Sequence, residues 1–148
     1  MVKVEISENQ LLLSSDKTRI DIQFVHGYLS RSYWSEEIPM ETVRKAMENS
    51  LALGLYENGT QIGYCRVITD YSTFAYLADV FIIEEARGKG YSVWMTKKLL
   101  QIPELQGLRR WLLATRDAHS LYSKTGWKPL KNPEYFMEIS SPDLYKKL

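Results

Sequence analysis

The 148-residue chain carries 19 Lys and Arg against 18 Asp and Glu, a net charge of +1, with 45% hydrophobic and 25% charged residues. This is the profile of one globular domain over residues 1–148, long enough to bury a core, and the near cancellation of charge argues against nucleic acid or a membrane as partner. Cys65 is the only cysteine and the two histidines lie far apart, which excludes a disulfide framework and leaves no metal-ligand cluster; with no N-terminal signal pattern or long apolar span, a cytoplasmic protein is expected.

In chain order, Leu11 to Ser14 suits a first short strand. Asp21 is positioned to cap a helix in which Ile22, Val25, Leu29 and Tyr33 share one face. Pro39 suits the first turn of a second helix, with Met40, Val43 and Met47 on its apolar side. Leu51, Leu53 and Leu55 then alternate, as do Ile62, Tyr64 and Ile68. Asn58-Gly59 between them signals a hairpin, because both residues tolerate positive φ. Phe74 to Ile83 completes a meander.

That apolar run ends in Glu84-Glu85-Ala86-Arg87-Gly88-Lys89-Gly90-Tyr91-Ser92, and a helical stripe of Tyr91, Trp94, Met95, Leu99 and Ile102 begins at once. Strand, glycine-rich loop and helix N-terminus make an anion site, because the first N–H groups of a helix lack internal partners. Gly88 and Gly90 let backbone approach a ligand, and Arg87 and Lys89 add positive charge. The implied ligand is a phosphate or pyrophosphate. Two familiar loops fail: the Gly-x4-Gly-Lys-Ser/Thr spacing is absent, and Val93 stands where a dinucleotide fingerprint needs its third glycine. Pro103 closes the helix. Leu108–Ala114 reads as a strand parallel to the one before the crossover. A short helix follows, with Ala118, Leu121 and Tyr122 on one face and Gly126 as its terminator. Tyr135 to Ile139 reads as a last strand. The expected class is α+β: a mixed, mostly antiparallel sheet with helices on both faces.

Arg87-Gly88-Lys89-Gly90-Tyr91-Ser92 resembles the acetyl-coenzyme A loop of the GNAT N-acetyltransferase superfamily, Arg-x-x-Gly-x-Gly/Ala, with serine at the last position. Thr115-Arg116-Asp117-Ala118-His119-Ser120-Leu121-Tyr122-Ser123-Lys124-Thr125-Gly126-Trp127 resembles the family's Asn-x-x-Ala-x-x-Leu-Tyr-x-x-x-Gly-Phe segment. Thr115 and Trp127 depart from it; Ala118, Leu121, Tyr122 and Gly126 match.

The resemblance implies acetyl transfer from acetyl-coenzyme A to an amine on a small molecule or a protein, by direct attack on the thioester. It implies a splay between the strand before the loop and the strand after the helix. Backbone groups of Val80, Phe81 and Ile82 would pair there with the pantetheine amides. Arg87, Gly88, Lys89, Gly90, Tyr91 and Ser92 would hold the pyrophosphate, and the thioester would lie about 15 Å away near Asp79–Phe81. Thr115 stands at the family's cofactor-contacting asparagine, and Tyr122 at its general-acid tyrosine. For the base, Asp79, His119, His26 and a water chain all remain open. The acceptor would meet Tyr28, Tyr33, Trp34, Asp70, Tyr71 and Phe74, the rings as a wall for an apolar or cationic group and Asp70 as an attractor of ammonium. A non-catalytic acyl-coenzyme A sensor and transfer of another acyl group are the competing functions. A monomer or a homodimer is equally compatible with the chain.

Overall fold

A computed structural model of the protein describes residues 2–147. Its centre is a six-stranded sheet whose spatial order follows chain order. β1 (Glu5–Glu8) and β2 (Leu11–Ser14) form an antiparallel hairpin at one edge. β1 has no counterpart in the sequence reading, although Val2, Val4 and Ile6 alternate with polar residues and face the core, Val4 being buried there.

α1 (Ile22–Leu29) starts where expected: the Asp21 carboxylate accepts from the N–H groups of Gln23 and Phe24 at 3.0 and 3.1 Å. Val25 and Leu29 are buried beneath it. The helix stops at Leu29, so Tyr33 is not on its apolar face, as the periodicity had suggested. It belongs instead to a loop pinned by Ser32, whose hydroxyl donates to the Leu29 carbonyl and accepts from the Ser35 N–H. α2 (Met40–Glu48) follows, with extended Pro39 as its N-cap rather than its first residue.

β3 (Leu51–Glu57) and β4 (Thr60–Thr69) pair around Asn58 and Gly59, whose φ values of 49° and 83° are those of a two-residue hairpin turn. β5 (Phe74–Ile82) pairs antiparallel with β4. A turn of 3₁₀ helix, Glu84–Ala86, leads to the glycine loop and α3 (Tyr91–Leu99). A second such turn, Pro103–Leu105, precedes β6 (Arg110–Leu113), the one strand that pairs in parallel, against β5. α4 (His119–Ser123) follows, and Gly126 sits beyond it at φ 97°.

Two apolar layers clasp the sheet. On one face Met95, Leu99, Ile102 and Leu105 cover Leu13, Leu53, Leu55 and Val67. On the other, Val25, Leu29, Val43 and Met47 of α1 and α2 cover Ala52, Tyr64 and Phe81. The class is therefore the α+β arrangement expected, with helices on both faces.

The expected last strand over Tyr135–Ile139 does not form. A 3₁₀ turn spans Pro133–Tyr135, and irregular chain follows. The chain lies near β6 over residues 128–133, where Pro129 and Pro133 have no N–H to give a ladder. Among the described residues no helix is long and apolar enough to cross a membrane.

Candidate active site

β5 and β6 pair from Phe74–Arg110 to Leu77–Leu113 and no further. Beyond that point β5 continues alone on this side. The parting coincides with a β-bulge: Tyr64 faces Phe81 and Arg66 faces Ala78, so Asp79 and Val80 together oppose Cys65. Asp79 has φ 56°, a left-handed conformation that Asp tolerates better than most residues. The extra residue bends the strand and leaves the backbone of its last residues facing a gap.

That gap is a cavity of about 580 Å³ walled by Val80, Phe81 and Ile82 on one side and by Ala118, Leu121 and Tyr122 of the α4 segment on the other. Arg87 and Ser92 line its end nearest α3. The Arg87 guanidinium is held there, donating to the Ile82 carbonyl at 2.9 Å and to the Tyr28 hydroxyl at 2.7 Å. Phe81 turns its ring away into the α1 layer, stacked on Tyr28 at 3.9 Å and 6° between planes. Its backbone remains at the cavity wall. Gly88 and Gly90 take φ values of 79° and 80°, and a Cβ on either would meet nothing within 4 Å. The corner at the α3 N-terminus is open to a ligand. The side chains of Lys89 and Tyr91 point elsewhere: Lys89 is 3.8 Å from Glu57, and the buried Tyr91 hydroxyl donates to Glu57 and accepts from Gln10. These two residues offer the corner only backbone.

Tyr122 lines this cavity and a neighbouring one of about 480 Å³. Its ring packs edge-on to Trp127 at 6.0 Å. Burial pushes its phenol up to about 12, so the group is protonated throughout the physiological range. Thr115 lines the second cavity, and its hydroxyl accepts from the Ala118 N–H at 3.1 Å, closing the turn into α4.

The second cavity holds Tyr33, Trp34, Arg66, Tyr76, Asp79 and Arg116. Asp79 stands on its wall with both oxygens engaged, one by Arg66 Nε at 2.9 Å and the other by Trp34 Nε1 at 3.1 Å. Arg66 in turn donates to Ser50 at 3.0 Å. The Tyr33 hydroxyl accepts from the Arg116 N–H at 3.1 Å, and the Arg116 guanidinium lies 3.9 Å over the Tyr33 ring. The loop after α1 is thereby strapped to the loop after β6, across the mouth of the gap.

Of the residues expected to meet an acceptor, Tyr28, Tyr33 and Trp34 reach these cavities. Asp70, Tyr71 and Phe74 do not: they sit at the β4–β5 turn, about 20 Å from Val80 along the strand at 3.3 Å per residue. Asp70 is consumed by that turn, accepting from the Ser72, Thr73 and Phe74 N–H groups and the Thr73 hydroxyl, which hold its carboxyl well below the usual range. His26 is tied to the Ile38 carbonyl at 2.9 Å, and His119 lies outside both cavities. Arg66 and Arg116 were missed by the sequence reading. An arginine in the middle of an otherwise apolar hairpin strand was the available signal for Arg66; Arg116 had none. Among the described residues no cluster of metal-ligating side chains occurs.

A sheet parted between β5 and β6, an open helix N-terminus at one end of the gap and a half-buried phenol along it form an acyltransferase architecture. The profile of the acetyltransferase (GNAT) family matches residues 22–127. A Gibberella zeae protein whose name assigns it provisionally to the acetyltransferases is 33% identical, with 76% of each chain covered. A crystal structure from Xanthomonas campestris, of a protein assigned to the GNAT family, is 42% identical, covers 94% of this chain and 99% of its own, and superposes with a TM-score of 0.89. A Clostridium acetobutylicum acetyltransferase solved with acetyl-coenzyme A shares the fold at 16% identity, covering 81% of this chain and 90% of its own, with a TM-score of 0.61. The chain belongs to the GNAT acetyltransferase family.

Proposed function

We propose that the protein transfers an acetyl group from acetyl-coenzyme A to a primary amine of a small molecule or a protein. The observation that carries this reading is the gap between β5 and β6, which joins the open N-terminal corner of α3 to the half-buried phenol of Tyr122. The residues fit the donor. The open N–H groups of the α3 first turn, the Ser92 hydroxyl and Arg87 suit a pyrophosphate. The strand backbone at Val80–Ile82 suits the amides of the pantetheine arm.

In the reaction, the neutral amine nitrogen bonds to the thioester carbonyl carbon and the carbon–sulfur bond breaks. An N–H of the bulged strand near Phe81 stabilises the charge gathering on the carbonyl oxygen. Tyr122 donates its proton to the sulfur as the carbon–sulfur bond breaks; the thiol's pKa of around 8.5 lies below that of the phenol, so the phenolate takes a proton back from water once the thiol has formed. Both Asp79 oxygens already accept hydrogen bonds, so we assign Asp79 the role of fixing Arg66 and Trp34 at the acceptor wall. The proton of the amine then passes to water. The acceptor enters between Tyr33, Trp34 and Arg116.

Isothermal titration with acetyl-coenzyme A, followed by a thiol-release assay over a panel of amines, tests the proposal. Binding and amine-dependent thiol release are expected. Absence of binding at millimolar donor rejects the whole reading; binding with no turnover on any amine turns it into that of an acyl-coenzyme A sensor.

A further inference from the structure

The second cavity, of about 480 Å³, carries charge of both signs on its wall, in Arg66, Asp79, Arg116 and Asp117. Arg66 and Asp79 satisfy each other at 2.9 Å. Arg116 and Asp117 form no ion pair among the described residues. The cavity therefore holds one cation and one anion that the fold itself does not use.

Arg116 is held by its face and not by its edge. Its guanidinium lies 3.9 Å over the Tyr33 ring, and its backbone N–H donates to the Tyr33 hydroxyl at 3.1 Å. Stacking fixes the plane of the group and leaves its in-plane donors without a partner among the described residues. A guanidinium presented in this way is a fork for a carboxylate. The Tyr33 hydroxyl, which accepts from Arg116, keeps its own proton for the same anion.

Asp117 takes a different place. It is the one charged residue on the wall of both cavities, together with Val80 and Tyr122. That shared stretch is where a donor thioester would meet the acceptor. Asp117 thus faces the reacting amine, and Arg116, which lines only the second cavity, faces what the amine is attached to. Tyr33 and Trp34 stand edge to face at 5.1 Å, 47% and 40% exposed, and give the rest of the acceptor an apolar wall.

We propose, resting on the transfer reaction above, that the acceptor is a free amino acid: Asp117 draws its ammonium and Arg116 holds its carboxylate. A polyamine would set its second cation against Arg66 and Arg116, and a lysine side chain on a protein would bring no carboxylate to the fork.

Calorimetric titration of the protein, with and without coenzyme A, tests this on matched sets: an amino acid, its carboxamide and its decarboxylated amine, with side groups from methyl to benzyl. The amino acid should bind about 10–10²-fold more tightly than either counterpart, the scale of one hydrogen bond to a charged group. In Arg116→Gln that preference should largely disappear, and Arg116→Lys, which keeps the charge and loses the fork, should fall between. Asp117→Asn should weaken the amino acid and the amine together. Both residues are exposed on the loop after β6, so circular dichroism should show the variants folded. Equal or tighter binding of the decarboxylated amine overturns the proposal, as does the absence of binding by any amino acid at millimolar concentration, or a preference that survives in Arg116→Gln. An aminophosphonate that binds more tightly than its carboxylate counterpart would overturn the choice of carboxylate. Acetyl-coenzyme A titrated alone reads the donor site: its failure to bind rejects the transfer reaction, whereas donor binding joined to a preference for the carboxylate-free amine rejects only the amino acid.

Discussion

Arg66 and Asp79 meet at 2.9 Å across the bulge that parts β5 from its regular register, with side chains only 16% and 10% exposed. One contact thus joins three features of the site: the left-handed residue that bends the strand, the guanidinium on the acceptor wall, and Trp34, which donates to the other carboxylate oxygen.

Asp79→Ala should destabilise the protein by about 3 kcal/mol, because it strands a nearly buried arginine and keeps an unfavourable φ without the side chain that suits it. Asp79→Asn, which accepts at one atom and tolerates the conformation, should lose less. Denaturant midpoints of the two variants check the order; equal losses would show that the charge, which both variants remove, carries the effect and that the hydrogen bond and the backbone preference add little.

Tyr122→Phe should lower kcat by ~10²-fold while leaving donor affinity nearly unchanged, the scale of one general acid. Burial holds the phenol near 12, so its ionisation should not reduce the wild-type rate below about pH 10. A fall in kcat at lower alkaline pH that persists in the phenylalanine variant would belong to another group. Unchanged turnover in that variant would remove Tyr122 from the chemistry.

Gly90→Val should abolish donor binding in titration while the domain remains folded. A β-branched residue at φ 80° carries strain of about 1–2 kcal/mol, and its side chain projects into the space where a phosphate would approach, not into the protein. Retained affinity would move the pyrophosphate away from this corner.

Alkaline pH should unfold the protein by a route independent of catalysis. Burial raises Cys65 from 9.0 to about 12, and Tyr56 and Tyr122 from 10.0 to about 12. Each group keeps its proton in the folded chain after the unfolded chain has released it. Stability is then complete below about pH 9 and falls as pH rises from there to 12. Thermal melts should be level from pH 7 to 8.5 and shift downward above pH 9. Cys65→Ala should begin its decline nearer pH 10.

The elements carrying a strong local signal were legible in the chain. Asp21 at the start of α1, Asn58-Gly59 in the hairpin and the glycine loop before α3 each solve a backbone problem that few residues solve, so their chemistry marks their place. β1 carries a weaker signal: Val2, Val4 and Ile6 alternate toward the core, but the pattern runs for only a few residues before the turn at Asn9 and Gln10. Tyr135–Ile139 carries a strand-like alternation without a partner in its own chain, and alternation cannot report whether a partner exists. At the candidate site, Val80–Ile82, Arg87, Ser92 and Tyr122, which the motifs singled out, line one cavity. Asp70, Tyr71 and Phe74 were misplaced because proximity to a hairpin in sequence does not say which end of the strand meets the cleft. Arg116 lies beside Tyr33 through a contact 83 residues long in sequence, which local pattern does not encode.

The strands lie side by side in the order in which they are synthesised, so β1 joins β2 and β3 to β5 join through short turns, whereas β2 must wait for β3 across residues 15–50 and β5 for β6 across residues 83–109. Contacts of greater sequence separation cost more chain entropy to close. The crevice that would receive the donor is therefore framed by one of the two joins that close at high entropic cost, and a ligand seated there would act as a clasp on the finished molecule.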